Sequence, residues 1–458
     1  MKKALSISAL LVPVAIFLIA CGGVSNNGSG AQAQPASVFV TGEDAPLPSV
    51  LSFNVTINSI TLNGKSGSPQ VLSAPTTVDF ARLLGLRTLV GFNSVPPDTY
   101  TGATFQLASP VISYLNMSTA PPSVGTINGT LTTSTVTVAF PTPMVVGNSG
   151  LAGMHMEFDL RKSLAVDATG QVTGSVNPHI TLLAVQPTDE EGKITDLVGS
   201  LISVSASGSS FVLQGPHGHQ FTIDVNGQTQ FNGNWNINNL TAPAYVATQG
   251  TVQGDGSILA SAVEVVSTTQ AFVSGRVVAL NPTTGPVQTV TIVVGEEMPA
   301  MSSAPVGLPI TLDISQVSTY DVCFFDNWFT NILLNNSSIV VGQRVFVGGS
   351  LDSSTNTFTP SMVSLRLQGV VGDLVSNSVS ITSGNRGSFQ LQNGALMGYV
   401  LGAPMTVQTG DVTTFVGVNG LSGMQSGGSM SLVAGGLVLK DPVSGNPQLW
   451  AGRVKVLP

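Results

Sequence analysis

The sequence predicts an all-β protein built of several domains, and three observations carry that expectation. Val, Thr and Ser alternate through much of the chain, as in Phe53-Asn54-Val55-Thr56-Ile57-Asn58, the period of a half-buried strand. Glycine and proline are abundant, 51 and 27 residues, which suits many short strands joined by tight turns. Lys and Arg together number only 15 and Asp and Glu 23, so the charged residues that clothe exposed helix faces are scarce. At 458 residues the chain exceeds what one core accommodates, and three or four domains are expected.

The chain begins with Lys2 and Lys3, then runs uncharged from Ala4 to Phe17 and ends the apolar stretch at Leu18-Ile19-Ala20-Cys21. Basic residues, an apolar run and small residues before a cut are the order of a secretory signal. A transmembrane helix is the competing reading. The run is short for a bilayer, contains Pro13, and is followed by Gly, Ser and Asn instead of a basic stop-transfer cluster. Residues 1–20 are therefore read as a signal peptide. Residues 21–36, reading CGGVSNNGSGAQAQPA, have no apolar period and no charge and read as a flexible tether. A coil of this length has an r.m.s. reach of about 20–23 Å. Residues 37–187 read as a first domain of strands, with Thr77 placed to cap a short helix over Val78–Leu84 that Gly85 ends.

Beyond a linker the chain repeats, with blocks at 194–268, 270–368 and 369–458. Phe221-Thr222-Ile223-Asp224-Val225 is echoed by Ile310-Thr311-Leu312-Asp313-Ile314 and by Met405-Thr406-Val407-Gln408. Ten residues after the first residue of each echoed segment (Phe221, Ile310, Met405) stands an aromatic, Phe231, Tyr320 or Phe415. The blocks open alike at Gly199, Gly275 and Gly372 and close alike around Val263, Val363 and Val454. Five or six short strands per block suit a small closed barrel, which removes exposed sheet edges. An insertion in the second block covers Glu296–Leu308 and Asp321–Ser338.

Three resemblances follow from these residues. Leu18-Ile19-Ala20-Cys21 resembles the lipobox of bacterial lipoproteins, which implies cleavage before Cys21 and acylation (palmitate among the chains) of Cys21. Gly22 in place of Asp after the cysteine points to the outer membrane more than the inner one. Asp44-Ala45-Pro46, Pro97-Asp98-Thr99-Tyr100, Phe158-Asp159-Leu160-Arg161-Lys162 and Pro178-His179-Ile180 resemble an uncharacterised β-sandwich family of bacterial lipoproteins, implying a transthyretin-like sandwich with no assigned activity. The blocks resemble a second uncharacterised family of OB-like barrel repeats, the first block best, and together the two resemblances imply an N-terminal β-sandwich followed by three small closed β-barrel repeats.

Composition narrows the function. Loss of Lys2 and Lys3 with the signal takes the net charge from −8 to −10, and the closest approach to a basic cluster is Arg161-Lys162. Nucleic acid, which demands several phosphate neutralisers on one face, is excluded as a partner. With Cys21 acylated, Cys323 stands alone in Val322-Cys323-Phe324-Phe325, an apolar setting in which a thiol packs. His217-Gly218-His219 could share a metal, but it falls where a hairpin turn belongs and lacks a third ligand, so no metal and no cofactor are expected. His155, Glu157 and Asp159 share one face of a strand and read as a solvated face. Gly147-Asn148-Ser149-Gly150 reads as a turn. The carboxylates of Asp189-Glu190-Glu191 and Glu296-Glu297 read as solvating charge in a linker and an insertion, a glycosidase pair being their alternative. Trp235 and Trp328, in polar loops rich in Asn and Asp, are candidate ligand contacts able to stack on sugar rings; the competing reading is that each anchors its loop.

The expectation is a non-catalytic, lipid-anchored envelope lipoprotein that binds a polysaccharide or an envelope protein or serves a structural role. Its rival is a polysaccharide hydrolase working through dispersed carboxylates. Replacement of Cys21 by Ser should leave uncleaved precursor or move the protein from the detergent to the aqueous phase on Triton X-114 partitioning. Unchanged partitioning with normal maturation would remove the anchor.

Overall fold

The computed structural model describes residues 36–45, 47, 49–116, 123–215, 218–323, 333–392, 404–425 and 430–457. The signal, Cys21, nearly all of the tether, His217 and Trp328 lie outside these residues. Among the described residues no helix is long and apolar enough to cross a membrane.

Residues 36–185 form three sheets. The first runs in the order Ile180–Val185, Leu151–Asp159, Ala36–Ala45, Thr88–Val95. Its pairing of Ala36–Ala45 with Leu151–Asp159 is parallel, from Ser37 opposite Leu151 to Ala45 opposite Asp159. The second places Val50–Gly64 between Thr76–Asp79 and the long strand Asp98–Asn116, which also pairs with Ser123–Asn128 and Thr135–Val146. Their facing sides share a core that includes Val38, Phe53, Ile57, Phe105, Met154 and Phe158. The third, small sheet joins Thr130–Leu131, Leu164–Val166 and Val172–Val176. The short helix expected over Val78–Leu84 is a strand, Thr76–Asp79, followed by one 3₁₀ turn, Phe80–Leu83, that no side chain caps. Gly85 does end it, at φ +68°.

Each of the three later sheets belongs to one repeat. In the 194–267 sheet the edge strand Gln220–Asp224 comes round to Ile258–Ser267 over two residue pairs, Ile223 with Ile258 and Asp224 with Leu259. In the 368–456 sheet Gln368–Leu374 meets Arg386–Gln392 at Asp373 with Gln392 and Leu374 with Leu391, closing a five-stranded barrel. The ten-residue spacings mark one recurring unit. Phe231, Tyr320 and Phe415 lie in short strands that pair in parallel with the closing strand, opposite Val263, Val363 and Val454 respectively. All three rings are half-buried against the core of their own sheet. Gly275 sits at a register shift where an added Cβ would collide with the Val293 carbonyl, so close backbone approach dictates glycine there.

The all-β class therefore stands, but the architecture of one sandwich followed by three separate closed barrels does not. Residues 36–365 make five sheets and residues 368–456 a sixth, the closed barrel. The N-terminal part has a third sheet besides the facing pair. In the 271–365 sheet no ladder joins the edge strands Pro309–Asp313 and Thr319–Val322 among the described residues, and the insertion intervenes after Met298. Nor are the units separate, because residues 34–458 cluster as a single compact body.

The reason lies in shared apolar cores. Phe39 and Leu89 of the N-terminal strands pack into the 194–267 core. Leu437, Leu439 and Trp450 of the last sheet pack with the 271–365 core, and Leu115 and Val340 with the 368–456 core. Across the seam between the 194–267 and 271–365 sheets Tyr245 meets Phe272 edge-on at 4.5 Å and lies 6.1 Å from Phe346, and Phe272 and Phe346, both of the 271–365 sheet, stack on each other at 4.5 Å. Such contacts couple neighbours that a flexible linker would leave independent. Truncation of the fully buried Phe346 to Ala should cost about 3–5 kcal/mol. Calorimetry should show that loss as a lowered shared transition of the 194–267 and 271–365 sheets. Melting of the 271–365 sheet alone, with its neighbour unchanged, would contradict the coupling.

Candidate functional site

Between the N-terminal body and the 194–267 sheet runs a cleft. One wall is Thr76–Asp79 with Thr88–Phe92, and the other is the edge segment His219–Thr222 with the turn Asp255–Ser257. Its outer part has a volume of about 310 Å³ and its inner part about 90 Å³; both touch Thr76, Leu89, Val90, His219 and Phe221. The turn closes tightly because Gly256 takes φ +90°, and an added Cβ would lie 2.7 Å from the Phe92 ring. Phe221 meets the His219 ring edge-on at 4.7 Å. The walls thus offer half-buried aromatic surface (Phe92, Phe221) beside hydroxyls (Ser73, Thr76, Thr222, Ser257). Ser257 Oγ donates to Asp224 Oδ2 at 2.5 Å, with Asp255 Oδ1 2.8 Å away.

The floor of the inner part is charged and internally neutralised. Arg82, on the 3₁₀ turn after Asp79, reaches Glu296 Oε1 at 2.9 Å and Asp196 Oδ2 at 3.7 Å. Asp196 also takes Arg344 at 2.8 Å and Arg366 at 3.7 Å, and Arg366 holds Glu264 at 2.8 Å. Burial alone would push the Asp196 carboxyl up, but Arg344, Arg366 and Arg82 overcome it and hold the group below the ordinary carboxylate range. Asp79 accepts from the Phe53 N–H at 2.8 Å and Ser52 Oγ at 3.0 Å, yet its burial outweighs these bonds and pushes its pKa up.

A second buried centre joins the first and last strands of the body. Glu43, on Ala36–Ala45, faces Arg453 at 3.2 Å, His155 at 3.7 Å, and Lys455 and Arg87 at 3.8 Å each. Arg87 donates to Glu190 at 2.9 Å, and Lys455 lies 3.7 Å from Glu157. Burial would raise the Glu43 pKa, but Lys455, Arg453, His155 and Arg87 outweigh it and lower it. Thr41 Oγ1 gives its proton to the Glu191 carbonyl at 2.8 Å, so the 3.1 Å contact from His155 Nδ1 requires an N–H there. The remaining nitrogen, Nε2, faces Glu43. Burial, helped by Lys455, Arg87 and Arg453, draws the His155 pKa down to about 4 despite Glu43.

Three sequence readings change here. His155, Glu157 and Asp159 are not a solvated face: His155 is 1 % exposed and Asp159 5 %, Lys455 of Pro447–Val456 reaches Glu157 at 3.7 Å, and Lys162 closes on Asp159 at 2.9 Å. Glu296 is buried in ion pairs with Arg82 and Arg344 instead of solvating the insertion. Glu190 of the linker is paired with Arg87 and Lys193. Trp235 lies half-buried against the apolar core of the 194–267 sheet, away from the cleft lining. Cys323 is buried, 3.7 Å from Glu264. His219 lines the cleft, and its sequence partner His217 lies outside the described residues. Among those residues no group of three His, Cys, Asp or Glu is placed to hold a metal. Phe92 and Phe221 escaped notice as site residues, since in sequence Phe221 is a repeat anchor and Phe92 an unremarkable strand residue.

No family model matches the chain, and no curated protein does. The resemblances to a transthyretin-like sandwich family and to a barrel-repeat family are accordingly set aside, together with the architecture they implied. Among solved structures, Drosophila Unr (CSD456) is 10% identical, with 58% of this chain and 98% of that one covered at a TM-score of 0.14. A multidomain protein with nucleic acid binding domains from Streptococcus pneumoniae is also 10% identical, covering 56% and 73% at a TM-score of 0.11. Superposition this poor assigns neither fold nor function.

The two histidine protonation states give a test of the second centre. The His155 folded pKa of about 4 lies below its ordinary 6.5, so the unfolded chain binds the extra proton first as pH falls. His155 thus contributes stability above pH 6.5 that is lost towards pH 4, a change on the order of 3 kcal/mol. Asp44 and Asp79, whose pKa values are raised, change stability in the opposite sense, so the readout is the difference from His155→Gln. Urea unfolding at pH 7, 5.5 and 4 should show the wild type losing ground to that variant as pH falls. Parallel curves would remove the assigned role of His155.

Proposed function

We propose that this protein is an exported, lipid-anchored, non-catalytic binding module of a bacterial envelope, and that the cleft between the N-terminal body and the 194–267 sheet receives its ligand. The observation that carries the reading is the cleft itself: aromatic surface at Phe92 and Phe221 beside neutral hydroxyls, over a floor whose arginines and carboxylates satisfy one another. A neutral, hydroxyl-rich ligand such as a short saccharide suits such walls, because rings cover its apolar faces while hydroxyls exchange hydrogen bonds. The anchor rests on Cys21, and its tether would hold the body clear of the lipid headgroups.

The pairing of Glu190 with Arg87 supports the non-catalytic reading, since against its burial Arg87 and Lys193 lower its pKa and make it a poor proton donor, while Glu296 is engaged in ion pairs with Arg82 and Arg344. One observation favours the rival hydrolase: Asp79, with its raised pKa, lines the same inner cleft as Glu296. Titration calorimetry of the mature, detergent-solubilised protein with soluble oligosaccharides from envelope polysaccharides separates the two. Saturable binding is expected, weakened about tenfold or more in Phe221→Ala and blocked in Thr222→Lys, which fills the cleft from an exposed position. Lack of saturable binding to any of them would overturn the saccharide reading. Cleavage of the oligosaccharide, lost in Asp79→Asn, would establish the hydrolase.

A further inference from the structure

Behind the cleft floor, between the 3₁₀ turn Phe80–Leu83 and the 271–365 sheet, lies a small cavity of about 30 Å³. Arg82, Arg276 and Arg344 line it, with Glu296 and Asp79. Arg276 and Arg344 are direct cross-strand partners in the antiparallel pairing of Ala271–Asn281 with Arg344–Asp352. Like charges directly opposite one another on a sheet repel, and something must offset that cost. Arg344 is provided for by Asp196 and Glu296, at 2.8 and 3.8 Å. Arg276 is not. No carboxylate lies within ion-pair distance of it among the described residues, and its hydrogen bond goes from Nη1 to the Gly342 carbonyl at 3.3 Å. That carbonyl already accepts from Gln368 Nε2 at 2.9 Å.

The charges around the cavity otherwise balance. Arg82, Arg344 and Arg366 are matched by Asp196, Glu296 and Glu264. The surplus is Arg276 on one side and Asp79 on the other. The Asp79 carboxyl is turned to the Phe53 N–H and Ser52, outside ion-pair distance of Arg276. We propose that the cavity binds one small monovalent anion, of halide size, between Arg276 and Arg344. The volume suits this class, since about 30 Å³ holds a halide or one or two waters and leaves no room for a larger organic anion. Burial, then Arg344, pull the Arg276 guanidinium down to about 10 against a smaller opposing effect of Asp79, as expected of a cation short of counter-charge. The anion would join the 271–365 sheet to the N-terminal body, because Arg82 faces it from the other side.

The test uses the full mature chain in detergent, with gluconate exchanged for chloride or bromide at constant ionic strength. Wild type should show a saturable rise in Tm of about 2 °C as halide is added, by linkage to the folded state. Arg276→Gln should lose that rise and, in gluconate, melt at or above wild type because the cross-strand repulsion is gone. Arg276→Lys should keep part of the rise. An equal halide effect in wild type and Arg276→Gln, or a Gln variant that is less stable in gluconate, would overturn the site. Chloride-35 NMR on the wild type supplies a measurement that needs no variant: excess line broadening should saturate and be displaced by bromide. A linewidth that follows bulk chloride alone would mean that water fills the cavity, and the proposal would fall.

Discussion

Asp196 is the residue on which the assembly turns. It lies 2 % exposed at the start of the 194–267 sheet and receives arginines from three directions: Arg82 of the N-terminal body, Arg344 of the 271–365 sheet, and Arg366 at that sheet's end. A buried carboxylate is costly to desolvate, and it is tolerated only when its partners converge with good geometry. Convergence requires that the three units be docked. The charges therefore act less as glue than as a condition on the docking: a misplaced unit leaves an uncompensated charge in the interior. Glu43 imposes the same condition at the other seam, where the first strand of the body meets Arg453 and Lys455 of the last.

The apolar contacts are less selective. Phe272, Phe346 and Tyr245 would bury similar area in several relative orientations, since hydrophobic burial is non-directional. Combined with the ion centres they give one orientation. The cleft depends on it, because its two walls come from different units and Arg82 ties one of those walls to the floor. Disturbing Asp196 or Glu43 would alter the cleft without touching its lining. The internal neutrality of the floor matters to what the cleft can hold: with Glu296 and Asp196 matched by Arg82 and Arg344, the walls and not the floor set the ligand's character.

The sequence by itself determined the β character of the chain and the recurrence of its units. Alternation at Phe53, Val55 and Ile57 and the ten-residue spacings ending at Phe231, Tyr320 and Phe415 are local properties, set by the two-residue period of a strand and by turn length, so they are legible without a fold. The candidate anchor Cys21 is legible for the same reason, as a linear signal. What only the tertiary structure decided is where the few charges go. His155 and Glu157 alternate as an exposed face would, and Glu296 stands in an insertion, yet all three meet charged partners distant in sequence: Glu43, Lys455, and Arg82 with Arg344. Asp196 and Arg344 are separated by 148 positions, and Glu43 and Arg453 by 410. An ion pair between such positions leaves no periodic trace, because its partners are brought together by docking and not by local geometry. The cleft shares that origin: Phe92 and Phe221 become neighbours of one space only after their units have been fixed against each other.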